Sequence, residues 1–326
     1  MKTQILELLK SSEDYVSGQE LCDRFGVSRT AVWKVINKLK QEGYGIESVQ
    51  SKGYRLVGKQ DVLSAEEITG ELATRWIARP TFFLPTVTST NVIAKSRLED
   101  GEKSGLLVVA DEQTGGRGRR GRQWLSPKGE AIYMTLALRP EIAPGKASML
   151  TLVMAYAVCS AIRDVTGLDA RIKWPNDIVV GSRKVCGILT EMNAEPDYIH
   201  SLVIVVGINA NQTRFDEAIR EVATSLRMEV GDSVRRVPIV TKTMEHFENV
   251  YEEFLRCQNL SFMRDDYNRM LANPGREVVV HEPAGQYEGI AEGINDEGEL
   301  LVKRPDGGRT QVYAGVVSVR GLYGYV

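Results

Sequence analysis

The hydrophobic pattern changes twice along the 326 residues, and these two changes constrain the fold more than any other feature of the chain. Residues 1–60 carry apolar residues at helical spacing, followed by two short strand-like runs. From there to about residue 270, apolar strands alternate with helices, which is typical of an α/β or α+β domain with its own core. After Asn273-Pro274-Gly275, short strands separated by turns predict a small β-barrel of roughly 50 residues. The sequence therefore predicts a multidomain α+β protein with domains at 1–62, 63–272 and 273–326.

The composition excludes several classes of protein. With 43% hydrophobic and 26% charged residues, the chain is unlike a disordered protein, a collagen or a membrane bundle. The four cysteines are scattered without a CxxC pair, so we expect neither a disulfide framework nor a zinc site. The most apolar stretch, Met149 to Ile162, is shorter than the roughly 18 residues of a membrane span, and the first ten residues are too charged for a signal peptide. We therefore expect a cytoplasmic protein that does not contact a membrane.

The N-terminal segment predicts three helices followed by a hairpin. Ser17 is suited to cap the second helix, which Gly26 ends, and Ser28 is suited to cap the third. Two strand-like runs follow, from Ile46 to Val49 and from Tyr54 to Val57. One face of the third helix is apolar, with Val32, Val35, Ile36 and Leu39 at helical spacing.

This order of elements resembles a winged helix-turn-helix domain, in which the third helix reads the major groove and the wing contacts the DNA backbone. Residues 1–60 hold ten Lys or Arg against seven Asp or Glu, a net charge of +3, whereas the whole chain has −2. A basic module of this kind favours contact with DNA phosphates. The predicted DNA-binding residues are Ser28, Arg29, Thr30, Trp33, Lys34, Asn37 and, in the wing, Lys52. The alternative is a small three-helix packing module with a solvated basic face.

The segment from Gln113 to Trp124 is rich in arginine and glycine. Gly116, Gly118 and Gly121 spell a GxGxxG pattern, but a strand-like run follows instead of the helix that a dinucleotide-binding turn requires. Four arginines within six residues instead suit a loop that closes over a polyanion, a nucleoside triphosphate above all. The alternatives are a solvated basic loop and a short RNA-binding arginine-glycine tract.

Three further polar groups stand next to predicted strands. The Lys173–Asp177 segment precedes one strand and Lys184 opens the next, so that Lys184 is suited to stabilise a phosphate while Asp177 orders a lysine or holds magnesium. Ser89-Thr90-Asn91 starts a helix and offers hydroxyl and amide groups to a small polar ligand, or else only caps that helix. Asn209 ends an apolar strand, where it either lines a pocket or forms a turn.

Together these residues resemble the signature motifs of the biotin–protein ligases. The GRGRRG motif from Gly116 to Gly121 and the KWPND motif from Lys173 to Asp177 carry the resemblance, and Ser89-Thr90-Asn91 and Lys184 match the same family. With its N-terminal winged helix, the chain is similar to the bifunctional class, which also represses biotin operons. The resemblance covers essentially the whole chain. It implies a central mixed α/β domain like those of class II synthetases and a small SH3-like β-barrel at the C-terminus.

The resemblance also implies a chemistry. Such ligases use ATP and Mg²⁺ to convert biotin into biotinyl-5′-AMP, with release of pyrophosphate. A lysine of the biotin carboxyl carrier protein then takes the biotin as an amide and AMP leaves. For a bifunctional member we expect a homodimer when the adenylate is bound, and we expect this dimer to bind operator DNA with the adenylate as corepressor.

Site residues follow from the same resemblance, position by position. The catalytic residues would be Lys184 and Arg119. Biotin would be bound by Ser89, Thr90, Asn91, Gln113, Arg117, Gly118, Arg119 and Lys184. The nucleotide would be bound by Arg119, Arg122, Trp124, Asn176, Asp177 and Asn209. No protein ligand for a metal is assigned.

Three other functions are compatible with parts of the sequence. A lipoate or octanoate ligase has a similar catalytic fold, but neither GRGRRG nor a winged helix is expected there. A biotin sensor without ligase activity would need neither Lys184 nor the arginine-rich loop. The third alternative is a ligase whose winged helix is only structural. The sequence distinguishes it least well from a ligase that also represses transcription.

Overall fold

The chain forms two compact units, Met1–Leu63 and Ser64–Val326, each with buried apolar residues of its own. The computed structural model describes residues 1–58, 61–118, 121, 124–282, 285–314, 318–321 and 325. The bounds of the three predicted domains stay a prediction.

The first unit is a winged helix-turn-helix, as predicted. Its elements are α1 (Lys2–Ser11), α2 (Gly18–Phe25), α3 (Arg29–Gln41), β1 (Ile46–Val49) and β2 (Gly53–Leu56). Both predicted helix caps are confirmed, because the Ser17 hydroxyl accepts a hydrogen bond from the Glu20 amide and the Ser28 hydroxyl accepts one from the Ala31 amide. Gly26 ends α2 with a φ of +64°. The predicted apolar face of α3 is buried in the core that it shares with α1 and α2.

The second strand of the wing hairpin begins one residue earlier than predicted, at Gly53. This residue has a φ of +117°, and a Cβ atom there would lie 2.1 Å from the carbonyl oxygen of Val16, so a side chain does not fit. Val16 and Tyr54 exchange backbone hydrogen bonds, which attach the hairpin to the segment between α1 and α2.

The second unit is built on a seven-stranded mixed sheet. Its strands are β3 (Thr81–Leu84), β4 (Leu106–Ala110), β5 (Ala131–Leu138), β6 (Arg171–Lys173), β7 (Asp177–Val180), β8 (Arg183–Ala194) and β9 (Ile199–Asn209). The spatial order is β3-β4-β5-β9-β8-β7-β6. The β3–β4 pair is parallel and the other neighbours are antiparallel. The helices are α4 (Ala65–Glu71), α5 (Thr90–Glu99), α6 (Met149–Thr166), α7 (Leu226–Val230), α8 (Arg236–Cys257) and α9 (Arg264–Met270).

One helical segment, Pro144–Thr166, is long and apolar enough among the described residues to cross a membrane. Its main part, α6, is mostly buried within the second unit, where it packs against α8 and β8. Burial on this scale is what a core helix of a soluble domain requires, so its apolarity is explained by packing.

The C-terminal strands form a second, five-stranded antiparallel sheet. They are β10 (Glu277–Glu282), β11 (Gly285–Ile294), β12 (Leu300–Lys303), β13 (Arg309–Val312) and β14 (Ser318–Gly321), in the order β13-β12-β11-β10-β14. Alternate residues such as Val278, Val280 and Val302 are fully buried, which gives this sheet one apolar face. The predicted three-part fold is thus confirmed in its order and in the class of each part.

Candidate functional site

A cavity of about 420 Å³ lies between the central sheet and the segments that follow β3 and β4. Its lining residues are Thr88, Ser89, Asn91, Val92, Gln113, Gly115, Arg117, Leu189, Glu191 and Val205. Leu189 and Val205 are register partners on β8 and β9, so the sheet supplies an apolar wall. Four of the predicted biotin-binding residues are therefore brought together here from two separate parts of the sequence.

Thr90 does not line the cavity, unlike its neighbours Ser89 and Asn91. Its side chain is fully buried, its hydroxyl donates to Gln113 Oε1 at 3.1 Å, and it accepts a hydrogen bond from the Thr135 hydroxyl. The backbone N–H of Thr90 donates to the same Gln113 oxygen at 2.8 Å. Thr90 therefore fixes the orientation of the Gln113 amide. Ser89 stands at the N-cap position of α5, but its side chain makes no capping hydrogen bond.

The sequence did not single out Glu191, which lies at the cavity beside Asn91. Its carboxylate accepts hydrogen bonds from Asn91 Nδ2 at 2.9 Å and from Lys95 Nζ at 2.6 Å. Burial acts to raise the pKa of Glu191, but the bonds from Lys95 and Asn91 outweigh it and lower the pKa below its ordinary value. The Oδ1 atom of Asn91 is buried and has no hydrogen-bond partner among the described residues, which leaves an acceptor for a ligand.

Two described residues at the ends of the arginine-rich segment, Gly116 and Trp124, lie close together beside this cavity. The Trp124 amide donates to the Gly116 carbonyl, and a Cβ at Gly116 would lie 2.6 Å from the Trp124 carbonyl oxygen. Only glycine allows the two ends of the segment to meet so closely. Arg117 is exposed at the cavity and Gly118 follows it. The predicted Arg119 and Arg122 lie outside the described residues.

Beside the cavity, four residues form one row across the sheet: Tyr133, Gly207, Gly187 and Asp177. The indole of Trp124 lies on the two glycines of this row. A Cβ at Gly207 would be 2.9 Å from Cε2 of the indole, and one at Gly187 would be 3.1 Å from Cζ3. The row therefore forms a flat platform with an aromatic ring on it.

The charged groups of the site stand at the end of this row. Lys184 Nζ lies 2.6 Å from Asp177 Oδ1 and 5.4 Å from the centroid of the Trp124 ring. The Asn176 side chain donates to the Ile188 carbonyl at 3.0 Å and to Asp177 Oδ1 at 3.3 Å. These contacts join the KWPND turn to β8 and hold the lysine beside the aromatic ring.

Asn209 lies at the end of β9 but is only 6% exposed and does not line the cavity. Its Nδ2 atom donates to the Thr224 carbonyl, and its Oδ1 atom accepts from Gln212. The amide thus fastens the segment after β9. A role at the nucleotide remains a prediction for this residue.

A buried ion pair that the sequence did not indicate supports the same region. Arg236 Nη1 lies 2.7 Å from Asp111 Oδ1 and 3.1 Å from the Ala131 carbonyl oxygen, and the Arg236 side chain is 5% exposed. Asp111 stands two residues before Gln113, so this pair holds the chain in place where it enters the cavity.

In the first unit, the predicted DNA-binding residues gather on α3. Arg29, Thr30 and Lys34 are exposed, Asn37 is partly exposed, and Trp33 is 56% exposed, which is unusual for so large an aromatic side chain. The Arg29 guanidinium donates to Gln19 on α2. Lys52 of the wing lies 5.6 Å from the centroid of the Tyr15 ring. The Ser28 hydroxyl is used by its helix cap.

Comparison with known proteins identifies each part of this arrangement. The chain matches the models of the Biotin/lipoate A/B protein ligase family over residues 83–209, of an HTH domain over residues 2–55, and of the Biotin protein ligase C terminal domain over residues 275–320. The solved structure of the biotin protein ligase from Aquifex aeolicus in complex with biotin and ATP has a TM-score of 0.66 at 28% identity, and covers 74% of this chain and 98% of that one.

Several relatives are similar to this chain over nearly its full length. The Bifunctional ligase/repressor BirA of Bacillus subtilis (strain 168) is 36% identical over 310 residues, covering 94% of this chain and 95% of the relative. The protein of the same name from Escherichia coli (strain K12) is 30% identical over 318 residues, covering 97% and 96%. Because the similarity includes the winged helix, the ligase domain and the C-terminal domain, this chain belongs to the BirA family of bifunctional ligase/repressors.

Proposed function

We propose that this chain is a biotin–protein ligase that also represses transcription through its winged helix. The observation that supports this most directly is the cavity in which Gln113 is held by Thr90, next to a platform that carries Trp124 and the Lys184–Asp177 pair. One small polar ligand and one aromatic nucleotide base fit such a combination. Membership of the BirA family supports biotin and ATP as the two substrates.

We assign the ureido ring and neighbouring polar atoms of biotin to Ser89, Asn91, Gln113 and Arg117. The buried acceptor oxygen of Asn91 suits a ureido N–H, since a buried polar atom needs a partner. The apolar part of biotin then lies along the wall of Leu189 and Val205. Thr90 contributes through Gln113. Gly118 and Arg119 belong to the loop that closes over the ligand.

The first step joins biotin to AMP. A biotin carboxylate oxygen attacks the α-phosphorus of ATP, and the bond from that phosphorus to the pyrophosphate breaks. A carboxylate is a poor nucleophile towards a polyanion, so the barrier is largely electrostatic, and Lys184 and Arg119 lower it by stabilising negative charge. Trp124 stacks on the adenine, with Arg122, Asn176, Asp177 and Asn209 near the nucleotide. Closure of the arginine-rich loop then shields the mixed anhydride from water.

The second step transfers biotin to the biotin carboxyl carrier protein. The amine of a carrier lysine attacks the acyl carbon of biotinyl-5′-AMP, an amide forms, and AMP leaves with the electrons of the broken acyl–oxygen bond. Because this partner and operator DNA are both cytoplasmic, we propose the cytoplasm as the location of the chain.

Mg²⁺ is the third component of the proposal. No group of three or more His, Cys, Asp or Glu among the described residues is arranged to hold a metal ion. Asp177 already accepts hydrogen bonds on both carboxylate oxygens. Since Mg²⁺ commonly binds through substrate phosphates and water, we propose that it enters with ATP, where it neutralises phosphate charge.

Repression requires that DNA binding depend on the adenylate. We propose that ordering of the arginine-rich loop over biotinyl-5′-AMP favours a homodimer, which matches a two-fold operator. Sedimentation velocity with and without the adenylate tests this step. An equal monomer fraction in the two samples would contradict it.

Pyrophosphate release from ATP, with biotin or lipoate supplied separately, tests the ligase function. Hydroxylamine is included to discharge a tightly bound adenylate and allow turnover. Release with biotin alone is the expected result. Release with lipoate alone would make the chain a lipoate ligase, and tight biotin binding without any release would make it a sensor.

A further inference from the structure

The tyrosine next to the C-terminal residue contacts the KWPND turn. Tyr325 lies four residues beyond β14 and is partly buried. Its hydroxyl donates to Asp177 Oδ2 at 2.5 Å, and its ring centroid is 3.3 Å from Lys173 Nζ. Lys173 and Asp177 are register partners at the ends of β6 and β7, so one aromatic side chain spans both ends of the turn.

The backbone of this turn is held without Tyr325. The Trp174 amide donates to Asn273 Oδ1 at 2.9 Å, and the Trp174 indole donates to the Gly298 carbonyl at 3.0 Å. The Trp174 side chain is almost fully buried. What Tyr325 adds is therefore the orientation of the two charged side chains, one of which, Lys173, is only 5% exposed.

The two oxygens of the Asp177 carboxylate have different partners. Lys184 and Asn176 contact Oδ1, whereas Tyr325 contacts Oδ2. Tyr325 thus does not compete with Lys184 for the same atom. Its hydrogen bond instead restricts rotation of the carboxylate about its Cβ–Cγ bond, and with it the direction in which Lys184 is held.

We infer that Tyr325 is a positioning residue for the adenylation step, which acts on Lys184 through Asp177. The inference rests on the proposed function, because Lys184 is there the group that stabilises charge at the α-phosphate. A charged group held in one direction stabilises a transition state more than a mobile one, since no reorganisation is needed during the reaction. The C-terminal part of the chain therefore contributes a side chain to the order of the catalytic site.

Replacement of Tyr325 by phenylalanine in the full chain removes the hydrogen bond and keeps the ring on Lys173. We expect kcat for biotin-dependent pyrophosphate release to fall about 3- to 10-fold, with an unchanged KM for biotin. In a double-mutant cycle with Asp177→Asn, the double variant should be no slower than Asp177→Asn alone, because both changes interrupt one path. Tyr15→Phe is the matched control, since it removes a tyrosine–carboxylate hydrogen bond of the same kind, to Glu47 at 2.6 Å in the first unit. This variant should keep the wild-type kcat.

A second measurement reports the contact without any catalysis. Tyr325→Leu removes the ring as well, so limited labelling of lysines with acetic anhydride, mapped by mass spectrometry, should modify Lys173 about threefold faster or more. Unchanged labelling of Lys173 would contradict the contact.

The kinetic outcomes separate this inference from the proposed function. A wild-type chain that releases no pyrophosphate with biotin would reject the proposed function. An active wild type with equal kcat in Tyr325→Phe, or with additive effects of Tyr325→Phe and Asp177→Asn, would reject positioning through Asp177. A faster Tyr325→Phe variant would mean that the tyrosine obstructs the site, and would also overturn the inference.

Discussion

At the scale of single residues, the platform under Trp124 depends on two glycines, because any side chain there would collide with the indole. Gly187 and Gly207 face each other across β8 and β9, and the indole occupies the space that Cβ atoms would take. The Nε1 atom of Trp124 is buried without a hydrogen-bond partner among the described residues, so packing on the glycines is what holds the ring. A glycine in the middle of a strand usually weakens the strand, but here the two glycines leave the space that the indole ring occupies.

Gly207→Ala should displace the Trp124 ring, because the new Cβ would approach it to 2.9 Å. We expect ATP affinity, measured by calorimetry, to fall at least about tenfold, since a small misplacement of a binding group has large effects. Gly70→Ala is the control, since that helical glycine has open space around its Cβ position and no positive φ. Equal ATP affinity in Gly207→Ala and the wild type would contradict the platform.

Lys184→Gln removes the cation that lies beside the Trp124 ring and pairs with Asp177. We expect kcat for adenylation to fall about 10²- to 10³-fold, the usual effect of losing one electrostatic group at a developing charge. Biotin binding should persist in calorimetry. Lys242→Gln, which removes an exposed lysine paired with Glu245, is the control and should retain full activity. A variant at position 184 that turns over at the wild-type rate would exclude the proposed role.

At the scale of elements, α8 attaches the segment before β3 to the rest of the second unit. Glu248 on α8 is 4% exposed and accepts hydrogen bonds from the backbone amides of Arg75, Trp76 and Ile77 at 2.9–3.0 Å. Burial acts to raise the pKa of Glu248, but these amides and the Arg75 guanidinium outweigh it and lower the pKa below 4.5. The carboxylate is therefore more stable in the folded chain than in the unfolded one.

A lowered folded-state pKa means that Glu248 stabilises the fold above pH 4.5 and that this stabilisation is lost as the pH falls. Glu248→Gln should reduce the free energy of unfolding by about 2 kcal/mol at pH 7. The difference from the wild type should shrink towards pH 3. Urea denaturation at both pH values measures it, with Glu253→Gln as the control because that partly exposed glutamate on the same helix pairs only with Arg256 in the described contacts. A difference independent of pH would count against this role of the carboxylate.

The sequence predicted elements well where the signal is local. The serine caps of α2 and α3 and the apolar face of α3 are confirmed. The 22-residue α8 was missed, although Val237, Val240, Met244, Phe247 and Tyr251 repeat at helical spacing and are all buried. That signal was available from periodicity alone. The three-residue β6 is too short for any pattern, and only its pairing with β7 makes it a strand.

At the scale of the whole molecule, DNA binding and ligation belong to units with separate cores. The first unit carries the excess of positive charge and the exposed polar face of α3. The second unit contains the cavity, Trp124 and Lys184. Variants on α3 should therefore separate the two functions.

Lys34→Glu should weaken binding to DNA from upstream of the chain's own gene about tenfold or more, because it places negative charge against phosphates. Biotin-dependent pyrophosphate release should not change. Lys303→Glu makes the same change of net charge at an exposed position of β12 and serves as the control. Gel shift with biotinyl-5′-AMP measures the affinities. Equal weakening by both variants would point to net charge, and an unaffected Lys34→Glu would leave the winged helix a structural module.

Local sequence patterns are enough to predict capped helices, short strands, glycine-rich turns and the motifs that place the chain in its family. Such features depend on interactions between residues that are close together in the sequence, and these interactions form whatever the surrounding fold. Four contacts of the site are set by the folded chain instead: Glu191 with Asn91, Arg236 with Asp111, Trp124 with Gly187 and Gly207, and Tyr325 with Asp177. Each of these contacts joins residues far apart in the sequence. Their meeting is set by strand register and by the packing of the whole unit, which no local pattern contains.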